Sequence, residues 1–141
     1  MKFGGSSVAN SEMIKKVGSI VSMECQHSKC AIVLSAMKGV TDTLLTMAHQ
    51  AQSQNEEYRQ SYSDLVIRMK QTIKELLPPG HDQRCIEETD QMLGELEDLL
   101  HGIALVRECS PRSLDLVASF GERLNCLIFS HYFSHTHLPA D

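Results

Sequence analysis

A lysine, two glycines and two hydroxyl residues stand together in Lys2-Phe3-Gly4-Gly5-Ser6-Ser7-Val8-Ala9, and the chemistry this grouping suits is phosphate binding. Adjacent glycines remove both Cβ atoms and let main-chain N–H groups approach an anion closely, while the lysine ammonium sets a positive charge beside it. A helix starting directly behind the loop would add the partial positive charge of its N-terminus. The pattern is not the common nucleotide-binding P-loop, because the lysine precedes the glycines and no G-x-x-x-x-G-K-[ST] frame occurs in the chain. No G-x-G-x-x-G dinucleotide signature occurs either. By itself Lys-x-Gly-Gly belongs to ordinary Gly-rich turns more often than to phosphate sites, so other segments have to support the assignment.

A second candidate segment follows the short apolar run Cys30-Ala31-Ile32-Val33-Leu34-Ser35, which reads as a parallel strand buried on both faces. Ser35-Ala36-Met37-Lys38-Gly39-Val40-Thr41-Asp42 then leaves the carboxyl end of that strand and enters a helix, with Thr41 or Asp42 as its cap. Open α/β sheets place their ligands at such positions, which makes Ser35 and Thr41 site candidates. Between the two segments, Met13, Ile14, Val17, Ile20 and Val21 recur at helical spacing, predicting a helix over 11–24 capped by Asn10 or Ser11.

From about residue 56 the pattern becomes two long amphipathic stretches, one carrying Leu65, Val66, Met69, Ile73 and Leu76, the other Ile86, Met92, Leu93, Leu96, Leu99, Leu100 and Ile103. Pro78-Pro79-Gly80 separates them, so a helical hairpin packed on or beside the sheet is expected. A third long helix is expected from Ser113 to about His135, its apolar stripe interrupted by Gly121-Glu122. A mid-helix glycine costs about 1 kcal/mol relative to alanine, so its presence calls for a reason such as close approach of a ligand or another backbone. Glu122 then either meets a cationic group or simply faces solvent beside a packing glycine.

Composition narrows the function classes. The 141 residues fit one ordinary domain, and 42% apolar content suffices for a core. A net charge of −5 and a pI near 5.8 disfavour broad binding to nucleic acid or anionic lipid. No segment approaches the roughly 20 apolar residues that span a bilayer, and the expected setting is cytoplasmic. Cys25, Cys30, Cys85, Cys109 and Cys126 form an odd set without a C-x-x-C pair, which suits free thiols in a reducing compartment. His131 and His135 share a helical face, but no thiol or carboxylate at a supporting spacing joins them or His137 in this tail. They read as solvated helix-end histidines rather than zinc ligands.

Three segments in order, Lys2-Phe3-Gly4-Gly5-Ser6-Ser7-Val8-Ala9, Val33-Leu34-Ser35-Ala36-Met37-Lys38-Gly39-Val40-Thr41-Asp42 and Ser119-Phe120-Gly121-Glu122-Arg123-Leu124-Asn125, together resemble the amino-terminal half of an aspartokinase, a member of the amino-acid kinase family. Leu100-His101-Gly102-Ile103 with Leu105 also resembles the kinase part of bifunctional aspartokinase–homoserine dehydrogenases. The resemblance implies a three-layer α/β/α fold, here with few strands and a long helical hairpin. The implied reaction is transfer of the γ-phosphoryl group of ATP to the β-carboxylate of L-aspartate, the first step of lysine, threonine and methionine synthesis. Lys2 resembles the catalytic lysine, and Phe3, Gly4, Gly5 and Ser6 with Lys2 correspond to the loop on the ATP phosphates. Ser35, Thr41 and Glu122 resemble the aspartate-holding residues, Glu122 receiving the α-ammonium. Mg-ATP is implied as co-substrate without a tightly bound cofactor or dedicated metal ligands, and the parent protein is implied to be a homo-oligomer.

The elementary chemistry agrees, since phosphoryl transfer needs positioning and charge stabilisation more than a protein nucleophile. Members of the family normally carry a strand ahead of the lysine, where this chain has only Met1. They also continue past the Glu122 region into a half that supplies a second catalytic acid, an aspartate-clamping arginine, the adenine pocket and then ACT domains. Residues 1–141 are therefore expected to form the substrate-binding part of a kinase and to be inactive alone. Acetylglutamate, glutamate-5 and uridylate kinases share the fold but lack the complete first segment. A reading from another class is a non-catalytic helical interaction module whose Gly-rich start is only a turn.

Overall fold

The computed structural model describes residues 1–137, and Leu138-Pro139-Ala140-Asp141 lie outside the described residues. Two short strands, β1 (Lys2–Phe3) and β2 (Val33–Leu34), accompany five helices: α1 (Ser11–Cys25), α2 (Val40–Gln52), α3 (Glu57–Leu76), α4 (Gln83–Val106) and α5 (Pro111–His137). A 3₁₀ turn at Gly5–Val8 links β1 to α1. The architecture is α/β with few strands and a long helical hairpin, as expected.

The strands are parallel, with Lys2 opposite Val33 and Phe3 opposite Leu34. Val33 N donates to the Met1 carbonyl at 2.9 Å and Ser35 N to the Phe3 carbonyl at 3.0 Å. Alternation along a strand puts opposed residues on a common face. Phe3 and Leu34 turn toward the core, while Lys2 and Val33 share an open face on which Val33 is 57% exposed. The expectation of a strand buried on both faces is therefore corrected: the helices cover one face of this pair only.

The core centres on α2, where Leu44, Met47, Ala48 and Ala51 are fully buried and which packs against α3, α4 and α5. Two alanines on its inner stripe let the neighbouring helices come close. The hairpin of α3 and α4 turns where expected: Leu77 is extended before Pro78 (φ −116°, ψ 136°) and Gly80 is left-handed (φ 91°). It packs chiefly on α2 and α5 rather than on the strands, because two-residue strands offer little apolar area. His131 is not a solvated helix-end residue, since its Nε2 lies 2.9 Å from Glu88 of α4. The carboxylate missing from the local sequence arrives through helix packing.

Gly121 has a packing reason. A Cβ there would lie 2.7 Å from the Ala36 methyl and 3.4 Å from both Leu44 Cδ1 and Val40 Cγ1, so α5 crosses the start of α2 at glycine distance. A polar tie joins α1 to α3: Ser11 Oγ donates to Glu75 at 2.5 Å and Gln71 Nε2 donates at 2.9 Å. The Ser11 hydrogen bond first, then that from Gln71, hold the Glu75 carboxyl below the usual carboxylate range.

Two predictions follow from these contacts. Gly121→Ala overpacks a site with no room, at about 1–3 kcal/mol, against about 1 kcal/mol recovered in helix propensity. A net loss is expected by chemical denaturation. Gly94→Ala on α4, where nothing lies within 4 Å of the new methyl, is expected to stabilise by up to about 1 kcal/mol, and equal effects at the two positions would refute the close crossing. A depressed folded-state pKa at Glu75 contributes stability above its unfolded pKa that is lost as pH falls through the folded value. Glu75→Gln is accordingly expected to flatten the acid limb of stability against pH and to leave its alkaline limb unchanged.

Candidate phosphate and amino-acid site

Because β1 and β2 run parallel, their carboxyl ends emerge at one edge and the loops that follow lie side by side. A Cβ on Gly5 would stand 3.0 Å from the Ala36 carbonyl oxygen and 3.8 Å from Lys38 N and Cα. The glycine loop and the loop after β2 therefore touch through main-chain atoms, which cannot retreat as a flexible side chain can. Ala36 in turn packs its methyl on Gly121 of α5. One point of contact brings together all three segments singled out from the sequence.

Lys2 is exposed in β1 itself rather than in a loop, and Phe3 is half-buried beneath it. Gly4 is extended (φ −76°, ψ 170°), and a Cβ there would meet nothing within 4 Å. Its surface is open to a ligand where that of Gly5 is closed by the second loop. Ser6 is exposed and Ser35 half-buried. Thr41 lies in the first turn of α2, and the cap is Gly39 (φ 83°), not Thr41 or Asp42. The left-handed turn at Gly39 starts the helix earlier than a side-chain cap would, and Thr43 Oγ1 bonds back to the Gly39 carbonyl at 3.0 Å.

The helix predicted over 11–24 is α1, in place at Ser11–Cys25, and its N-terminus is not the group directly behind the glycines. Asn10 caps α1 by accepting from Met13 N at 3.0 Å, and the 3₁₀ turn separates it from Gly5. The N-terminus of α2, beside the second loop, has no side-chain cap. Glu122 is exposed, and among the described residues it has no ion-pair partner, since Arg123 turns to Glu95 at 3.4 Å and over the Phe120 ring. One turn on, the Cys126 thiol is pushed up by burial, with a main-chain hydrogen bond from Leu34 opposing and the Glu122 charge adding.

Two residues escaped the sequence reading. Asn125, 1% exposed, donates Nδ2 to the Ser35 carbonyl at 2.6 Å and leaves its Oδ1 buried without a partner. Arg68 of α3 donates Nη2 to the Lys38 carbonyl at 2.9 Å and to the Ala9 carbonyl at 3.2 Å. Asn125 stands in the third motif segment without a role read from it, and Arg68 lies in the first long amphipathic stretch without being singled out. Only its place between the buried Leu65, Met69 and Thr72 could have suggested half-burial.

A sequence profile of the amino acid kinase family matches residues 1–141. The chain belongs to the amino acid kinase family. Among curated proteins, it is 37% identical over 138 residues to aspartokinase 1, chloroplastic, of Arabidopsis thaliana, covering 95% of this chain and 23% of that protein. The aspartokinase of Candida albicans is 31% identical over 136 residues, covering 92% and 24%. The bifunctional aspartokinase/homoserine dehydrogenase 1, chloroplastic, of Arabidopsis thaliana is 29% identical over 121 residues, covering 86% and 13%. Escherichia coli aspartokinase III in complex with aspartate and ADP superposes with a TM-score of 0.77 at 26% identity, covering 93% of this chain and 27% of that one. The same enzyme in complex with lysine and aspartate also gives 0.77, at 25% identity. This amino acid kinase chain thus spans about a quarter of the length of the aspartokinases it matches, and its strands and helices follow their fold.

The two glycines should separate by substitution. Gly4→Ala is expected to leave the melting temperature unchanged, whereas Gly5→Ala should lower it by forcing the loops apart. Equal melting shifts for the two variants in the intact protein would contradict the contact at Ala36.

Proposed function

We propose that this chain carries the phosphate loop and the amino-acid site of an ATP-dependent aspartate kinase. The observation that carries the reading is the contact of the Gly4-Gly5 loop with the Ser35–Gly39 loop at the carboxyl edge of two parallel strands, where a phosphate and an acceptor would lie adjacent. In this reading Lys2 and the N–H groups from Phe3 to Ser6 hold the phosphates of ATP. Ser35 and Thr41 hold L-aspartate, and the exposed Glu122 carboxylate takes its α-ammonium. The β-carboxylate is ionised at neutral pH and attacks the γ-phosphorus, the bond to the bridging oxygen breaks, and ADP leaves with the electron pair. Lys2 offsets charge on the transferring group, an electrostatic role that requires no protein nucleophile.

Magnesium enters this reading with ATP, held by phosphate oxygens and water, as this ion usually is. The aspartokinases that resemble this chain are about four times its length, and the proposal includes that residues 1–141 alone turn over no substrate. A cytosolic setting and assembly of the whole protein as a homo-oligomer belong to the same proposal, as does a place at the start of lysine, threonine and methionine synthesis.

The test is formation of ADP and of a hydroxylamine-trappable acyl phosphate by the intact protein given Mg-ATP and L-aspartate, with D-aspartate and L-glutamate as controls. Lys2→Ala is expected to lower kcat by about 10²-fold or more with a smaller change in KM, as for loss of one transition-state donor. An unchanged kcat would remove Lys2 from this role, and turnover of L-glutamate in preference to L-aspartate would replace the substrate.

A further inference from the structure

We propose that Arg68 is a positioning residue that locks the glycine loop and the loop after β2 into one frame; this rests on the reading of those loops as the phosphate and amino-acid sides of the kinase site. Arg68 belongs to neither loop: it stands on α3, 59 residues from Ala9 and 30 from Lys38. Its single Nη2 donates to a main-chain carbonyl in each, at 3.2 and 2.9 Å. Ala9 closes the 3₁₀ turn behind the glycines, and Lys38 precedes the left-handed Gly39 from which α2 starts.

The contact between Gly5 and Ala36 sets how near the loops come, but van der Waals contact alone does not stop one sliding past the other. Two hydrogen bonds from one nitrogen do, because moving either carbonyl lengthens a bond the other holds in place. Among the described residues no carboxylate pairs with Arg68, so its full charge strengthens both bonds. The side chain also forms a common wall of two small cavities, of about 290 and 220 Å³, on either side of the lock. Gln71 and Ser11, which share the smaller cavity, both bond Glu75. Positioning of reactants within about 1 Å governs rates of this kind, which gives the lock a consequence for transfer and not only for stability.

The experiment compares Arg68→Met, which keeps the apolar stem, with Arg68→Lys, which keeps the charge, in the intact protein. Arg68→Met is expected to lower kcat about tenfold or more while either KM changes less than about threefold, and Arg68→Lys to restore part of the loss. Amide exchange should rise together in 6–9 and in 37–40 of Arg68→Met, with or without substrates. Faster exchange in one loop only or in neither, or an unchanged kcat, would overturn the proposal. If the intact wild type forms no acyl phosphate, the aspartate kinase reading fails by itself, and the exchange comparison still decides whether Arg68 couples the loops. Should Arg68→Met fail to fold, exchange in Arg68→Lys decides: parallel changes in both loops support the lock, and a change in one refutes it.

Discussion

Ala36 lies between two glycines, and the rest of the site depends on that sandwich. Its carbonyl oxygen occupies the space a Gly5 side chain would need, and its methyl occupies the space of a Gly121 side chain. The end of β1, the end of β2 and the middle of α5 thereby converge at a single residue. A Cβ at either glycine would push a loop or a helix outward, and Glu122, which follows Gly121 directly, would move with it. The position beside Gly121 also touches Val40 and Leu44, so the same contact fixes where α2 begins and which way its uncapped end points.

Stability and chemistry are divided between different parts of the chain. The buried apolar mass sits in the helices, from Ile14 and Val21 of α1 through the central α2 to Leu124 and Ile128 of α5, and burial of this kind stabilises at about 25 cal/mol per Å². The two strands bury little and serve to aim two loops at one edge. Those loops are then held by polar ties from the helices: Asn125 on Ser35, and Arg68 on Lys38 and Ala9. Each tie ends on the main chain, so the loop side chains stay free for ligands. Lys2, Ser6 and Glu122 are accordingly exposed.

Local pattern made much of this legible. Helical periodicity located α1, the hairpin and α5 to within a few residues, because an apolar stripe every third or fourth residue has few other uses. The motif segments located Gly5, Ser35 and Gly121, and the puzzle of a glycine inside α5 pointed to a close approach that the Ala36 contact supplies. What stayed hidden was relational. No periodicity says that the face of Val33 is open, since its apolar character is that of a covered strand. The cap of α2 was misplaced because Thr41 and Asp42 are common caps and the left-handed Gly39 is visible only in the backbone. Arg68 and Glu88 went unmarked in the sequence, for a charged residue on an amphipathic helix carries no mark of the partner it meets 30 to 59 residues away or on a neighbouring helix.

The measurement that bears most directly on the central claim is a crystal structure of the intact protein with L-aspartate and a non-hydrolysable ATP analogue. The account predicts the terminal phosphate on Lys2 and the N–H groups of Gly4, Gly5 and Ser6, with the aspartate β-carboxylate facing it from the Ser35 loop and the α-ammonium on Glu122. A nucleotide or an aspartate bound away from the Gly5–Ala36 contact would contradict it.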